Sequence, residues 1–171
     1  MQTTRKKISL NFKPAAEAVA VEHLPAGGYI SRLDGKYHAI GKPAIVNAQG
    51  GEQWYEYGQR HRDGGPAMSN PDGHQEYWQR GIVHRDDGPA RIFANGTKHW
   101  VQHNQLHRDD GPAIVDVTGK NTTYFVQGRI PTDAEMKDIQ AREAARETRE
   151  REEIALPARI GNVHKRGAAL K

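Results

Sequence analysis

The stretch His84-Arg85-Asp86-Asp87-Gly88-Pro89-Ala90 (HRDDGPA) returns unchanged at residues 107–113 and as HRDGGPA at 61–67. The step is 23 residues both times, and one further step back reaches HAIGKPA at 38–44, which keeps the His, Pro and Ala. Four copies therefore lie in register, with Pro43, Pro66, Pro89 and Pro112 each followed by Ala44, Ala67, Ala90 and Ala113. Gly50, Gly73, Gly96 and Gly119 stand twelve residues after each His. Gly35, Gly58, Gly81 and then Asn104 stand three before it, and Ser31, Trp54, Tyr77 and Trp100 seven before it. Tyr124, Phe125 and Gly128 open a fifth copy displaced by one residue, and Pro131 ends it where a His is due. A period of this length marks an array in which each unit is a supersecondary element buried by its neighbours.

One unit can be read from its turns. Asn95-Gly96 predicts a two-residue type I′ hairpin, because both central residues of that turn need positive φ. The runs on either side, ARIFA (90–94) and TKHWVQ (97–102), read as antiparallel strands. Asp72-Gly73 and Thr118-Gly119 fill the same place in neighbouring units. In the other connection, Asp-Gly-Pro makes a turn and fixes where the next strand starts. Two short strands and two turns per unit give a mainly β fold, a single-layer, twisted antiparallel meander. At about 4.8 Å per strand, about eight to ten strands span about 40 Å. Consecutive rings such as Trp54-Tyr55, Tyr77-Trp78 and Tyr124-Phe125 point to opposite faces of such a sheet, so one ring-bearing face is expected to be covered by the termini or by a partner.

The pattern Trp/Tyr…Gly-x-x-His…Gly…Asp/Asn-Gly over residues 29–131 resembles MORN-type repeats. Its HRxDGPA form is similar to the MORN-like variant found in bacteriophage and large-virus proteins. The resemblance implies a hairpin-repeat scaffold, an architecture that serves many roles. The familiar unit has a smaller Gly-x-Gly after its His, so the lipid binding proposed for MORN arrays is not carried over.

Composition agrees with a thin array. Leu, Ile, Val and Phe make up 29 of 171 residues, too few for a thick core, and eleven of the twelve aromatic rings lie between Tyr29 and Phe125. With no Cys, disulfides, thiolate metal sites and cysteine nucleophiles are excluded. No apolar run is long enough for a membrane span or a secretory leader. The formal charge of +4 is uneven: residues 1–14 carry +4, 15–131 carry −1, 132–154 carry −3 and 155–171 carry +4. The chain divides into an N-terminal arm (1–28), the repeat sheet (29–131), a charged helix (132–156) and a basic tail (157–171). Within the arm, AAEAVAVEHL (15–24) reads as either a strand or a short helix. Thr132 or Asp133 can cap the helix, with Glu135 in its first turn. Met136 and Ile139 are expected to dock it.

The polar residues of the repeat invite functional readings. His-Arg-Asp occurs in protein-kinase catalytic loops, but here it occurs three times and neither a nucleotide loop nor a DFG segment accompanies it. His61, His84 and His107 with Asp63, Asp86, Asp87, Asp109 and Asp110 suggest a metal, which each turn could hold on its own through a His and two Asp. Copies about 10 Å apart, however, cannot share an ion whose ligands sit near 2.1 Å. Arg62, Arg85 and Arg108 could form a phosphate-binding row, but acids one or two residues away neutralise them. The favoured reading is structural: His and Arg pack over neighbouring units, and the carboxylates bond turn amides and Arg. No catalytic residue, cofactor or metal is assigned.

The basic ends, with Arg5, Lys6, Lys7 and Lys13 at one and Arg159, Lys165, Arg166 and Lys171 at the other, are the partner-binding candidates. The expected function is a non-enzymatic scaffold for protein–protein interaction, a virion-associated phage component anchored by its termini within a larger assembly. Two alternatives stand beside it: an inhibitor of a host nuclease or defence factor, and a nucleic-acid-associated protein using its basic tails. The expected location is host cytoplasm or virion, neither secreted nor in a membrane.

Overall fold

A computed structural model describes residues 18–155. In chain order the strands are β1 (Ala20–His23), β2 (Tyr29–Leu33), β3 (Lys36–Tyr37), β4 (Ile45–Val46), β5 (Glu52–Gln53), β6 (Tyr55–Glu56), β7 (Gln59–Arg60), β8 (Met68–Ser69) and β9 (Gln75–Glu76). They continue as β10 (Trp78–Gln79), β11 (Ile82–Val83), β12 (Arg91–Ile92), β13 (Lys98–His99), β14 (Val101–Gln102), β15 (Gln105–Leu106), β16 (Ile114–Val115) and β17 (Thr122–Thr123). The helix α1 (Asp133–Ala155) follows. The protein is mainly β, built on one open antiparallel sheet. Ten strands follow one another as β1-β2-β4-β5-β8-β9-β12-β13-β16-β17, and β3 also pairs with β2. The ambiguous 15–24 segment is a strand where it is described, pairing Ala20 with Arg32 through His23 with Tyr29.

Each unit holds more than the two strands expected from its sequence. A second, smaller hairpin follows each main one: β6–β7, β10–β11 and β14–β15, with a lone bridge between Val126 and Arg129 in the fifth copy. The run 97–102 is thus two strands, broken at Trp100, whose N–H turns to Ala113 O at 2.8 Å. The small hairpins form their own ladder from unit to unit. The amides of Ala39, Arg62, Arg85 and Arg108 donate to the carbonyls of Tyr55, Trp78, Val101 and Phe125 in the next unit. Those of Gly58, Gly81, Asn104 and Gly128 donate back to Tyr37, Arg60, Val83 and Leu106.

The turn types are exchanged relative to expectation. At Asn95-Gly96 only the glycine takes a left-handed φ, of 86°. Phe93 O accepts from Gly96 N–H and Phe93 N–H donates to Thr97 O, which makes a type I turn closed by a glycine bulge. The type I′ turns sit instead in the small hairpins. There both central residues have positive φ: Asp34-Gly35, Tyr57-Gly58, Arg80-Gly81, His103-Asn104 and Gln127-Gly128. Residues as large as Tyr57 (φ 49°) and Arg80 (φ 48°) are strained in this region, and the bonds from adjacent units hold them there.

The core is a spine of small side chains. Ala44, Ala67, Ala90 and Ala113 are completely buried, and Val83, Ala90 and Val101 form a cluster flanked by Tyr77, Trp78 and Leu106. Alanine recurs there because adjacent units leave room for a methyl group and no more. Helix α1 closes the far end. Thr132 caps it in a reciprocal box, its N–H donating to Glu135 Oε2 at 2.8 Å while Glu135 N–H reaches Thr132 Oγ1 at 3.4 Å. Ile139 is buried and Met136 half-buried, whereas residues 147–154 are exposed.

Candidate interaction surface

The three HRD segments build one constellation three times. In each, the arginine lies flat over the ring eight residues earlier. Arg62 Cζ is 3.8 Å from the centre of Trp54, Arg85 3.9 Å from Tyr77 and Arg108 4.1 Å from Trp100. Each Nη1 also donates to the carbonyl of the following proline, Pro66, Pro89 or Pro112, at 3.2–3.4 Å. On the opposite side of each guanidinium lies a glycine. A Cβ placed on Gly88 would stand 3.0 Å from Arg85 Cζ, and the same holds at 3.1 Å for Gly65 and 3.2 Å for Gly111. The cation is therefore held between ring and backbone, a geometry that suits the planar guanidinium and not an ammonium.

The carboxylates complete the set. Asp87 accepts from Arg85 Nε at 2.7 Å and Asp110 from Arg108 Nε at 2.8 Å; Gly64 takes this place beside Arg62. Asp87 is held below the usual carboxylate range, chiefly by its hydrogen bond from Arg85. The first aspartate of each triplet faces histidine Nε2, at 3.7 Å for Asp63, 3.2 Å for Asp86 and 3.5 Å for Asp109. The histidine Nδ1 faces the next unit. His38 accepts from Tyr57 N–H at 3.1 Å, His84 from His103 N–H at 3.3 Å and His107 from Gln127 N–H at 3.4 Å. This arrangement places the imidazole proton on Nε2, which in His84 and His107 points toward the aspartate. His61 is the exception, its Nδ1 buried and, among the described residues, without a hydrogen-bond partner.

The nine repeat residues His61, Arg62, Asp63, His84, Arg85, Asp86, His107, Arg108 and Asp109 are thus brought together within and between units. Among the described residues no group of three or more His, Cys, Asp or Glu could hold a metal ion. The partner candidates Arg5, Lys6, Lys7, Lys13, Arg159, Lys165, Arg166 and Lys171 lie outside the described residues. Sequence reasoning missed the rings beneath the arginines and the glycines above them. A signal was available: the first copy has Ser31 in the ring position and Ala39 in the arginine position, so ring and cation are lost together.

Helix α1 lies across the same row at its far end. Glu143 accepts from Tyr124 Oη at 3.0 Å, Arg142 stands 3.8 Å from Asp109, and Arg146 Nε stands 3.3 Å from Asp110 Oδ2. Burial, with Glu143 adding to it, pushes the Tyr124 hydroxyl above its ordinary value. At the helix start the Arg129 guanidinium holds Glu135 well below the usual carboxylate range. No helix among the described residues is long and apolar enough to cross a membrane. Compared with models of known families and with curated proteins, the chain matches none.

Proposed function

We propose that this chain is a non-enzymatic scaffold of MORN-like repeats that binds other proteins, a virion-associated phage component whose basic ends engage its neighbours. The reading rests on one observation above others. The recurring His, Arg and Asp side chains are engaged by one another, by rings and by backbone within the array, which is the economy of a framework. A catalytic histidine or arginine would instead direct its donor or acceptor into a space where substrate could sit. The charge distribution adds to it: a near-neutral body carries +4 at each end, which suits acidic partner surfaces.

The test is crosslinking mass spectrometry on assembled virions, paired with affinity purification of the full chain from uninfected host lysate. Crosslinks from residues 1–14 and 157–171 to virion proteins are expected. A single stoichiometric host enzyme in the lysate, with no virion crosslinks, would favour the inhibitor reading instead. A hydrolase or nuclease activity lost in His84→Ala would overturn the non-enzymatic part.

A further inference from the structure

The repeat lays down a related groove twice, and the protein's own helix walls one of the two. Between the third and fourth copies lies a groove of about 510 Å³ lined by Arg85, Gly88, Trp100, Arg108, Asp109 and Asp110, with α1 contributing Arg146 and Glu150 to its wall. One unit earlier, Arg62, Gly65, Tyr77, Arg85, Asp86 and Asp87 line a groove of about 290 Å³, and no residue of α1 reaches it. These six residues correspond to Arg85, Gly88, Trp100, Arg108, Asp109 and Asp110 at a 23-residue shift; elsewhere in the wall Gly64 stands where the covered groove has Asp87, and Asp86 and Asp87 line both grooves.

The difference lies in what the carboxylates face. In the covered groove Asp110 divides its oxygens: Oδ1 accepts from Arg108 of the array, and Oδ2 faces Arg146 of the helix. Asp109 likewise faces His107 on one side and Arg142 of the helix on the other. In the open groove Asp87 Oδ1 accepts from Arg85 in the same way, but among the described residues no second cation pairs with Asp87 or Asp86. The side chain of Asp87 is 83% exposed where that of Asp110 is 41%. The carboxylate is oriented by its own arginine and turns its other oxygen outward, as Asp110 turns its own to the helix.

We propose that the groove between the second and third copies is a docking site for an α-helix of a partner protein that carries two arginines four residues apart, seated as α1 is seated one unit on. The site rests on the scaffold reading and gives it a location and a ligand chemistry. Arginines at i and i+4 rise on one helix face and match the spacing of the Asp86/Asp87 pair, as Arg142 and Arg146 match Asp109 and Asp110. The ring and the glycine backbone between the carboxylates supply the flat, partly apolar floor against which a helix can rest.

A synthetic peptide of residues 132–155, the sequence of α1 with its cap, is titrated into the full-length ¹⁵N-labelled chain at low salt. Saturable shifts at the amides of Gly65, Asp86 and Asp87, all in the wall of the open groove, are expected. Binding should weaken by about two- to fivefold for each arginine lost when the peptide carries Arg142→Gln or Arg146→Gln, the range of one exposed ion pair. It should weaken comparably in the Asp86→Asn and Asp87→Asn proteins. Shifts confined to Trp100 and Asp110, meaning that the peptide only exchanges with the resident helix, would overturn the proposal. So would the absence of saturable binding, or binding indifferent to all four substitutions. Failure here would leave the scaffold reading standing, because the virion crosslinks test that reading independently.

Discussion

The first copy and the three that follow share a backbone but not a side-chain scheme. In the first, Ser31 and Ala39 occupy the ring and arginine positions; in the others these are Trp54 with Arg62, Tyr77 with Arg85, and Trp100 with Arg108. The backbone bonds are nonetheless the same. Ser31 N–H donates to Ala44 O at 2.7 Å as Tyr77 N–H does to Ala90 O at 2.8 Å, and His38 N–H donates to Ser31 O as His84 N–H does to Tyr77 O. The chain path is therefore set by glycine, proline and the buried alanine. The arginine on its ring is an addition that only the later copies carry. The first copy is braced differently: β2 runs unbroken for five residues because β1 pairs along its outer edge, so one strand serves both the main sheet and the small hairpin.

The substitution with the largest expected effect attacks what all four copies share. Ala90→Leu forces three extra carbons into a fully closed site and should lower stability by about 1–3 kcal/mol in chemical denaturation. Ala44→Leu should cost a similar amount, and a tolerated leucine at Ala44 would show that the first copy is not packed as the others are. Next comes the conversion of the second copy to the chemistry of the first. A double-mutant cycle of Trp54→Ser and Arg62→Ala should return a coupling of about 0.5–1 kcal/mol, and additive losses would deny that the pair acts as a unit.

A smaller effect should change sign. Gly88 does not have a left-handed φ, so alanine is conformationally allowed there, but its Cβ would push Arg85 off its ring. Gly88→Ala should destabilise the protein, whereas in an Arg85→Ala background it should stabilise by about 0.4–1 kcal/mol through the unfolded chain. A loss in both backgrounds would contradict the stacked geometry. The smallest effect concerns pH. Burial, with Arg91 beside it, lowers His99 below its ordinary 6.5. The unfolded state then binds the proton more readily, so the contribution of this residue is complete above pH 6.5 and is lost as pH falls from there through the folded value. Melting temperatures measured from pH 7.5 to 5 should fall less steeply in His99→Gln than in the unaltered chain.

The period, the open meander and the helix were legible because they rest on residues with few alternatives: the Pro-Ala pairs, a glycine every 23 residues and the T-x-x-E cap. The small hairpins were not. Their type I′ turns use Tyr57, Arg80, His103 and Gln127 at positive φ, where Asn, Asp or Gly is the usual signal, and only Asp34-Gly35 carries it. The neighbouring unit holds these turns, so for those at Tyr57, His103 and Gln127 the specifying information lies 19 or 20 residues away, in the histidine that accepts their first amide. The rings beneath the arginines were hidden for a related reason. A tight turn separates each arginine from the ring eight residues earlier, so strand alternation does not carry across it and the pairing shows only once the chain has turned back on itself at the small hairpin.

A second hydrogen-bonded ladder, made of these hairpins and joining each unit to the next, is central to all of this. Native-state hydrogen exchange on the full chain addresses it through the amides of Arg62, Arg85 and Arg108, which donate to Trp78, Val101 and Phe125 of the following unit. Protection comparable to that of the main-sheet amide of Tyr77 is expected at all three. Exchange at the rate of an unstructured chain, while Tyr77 stays protected, would contradict it.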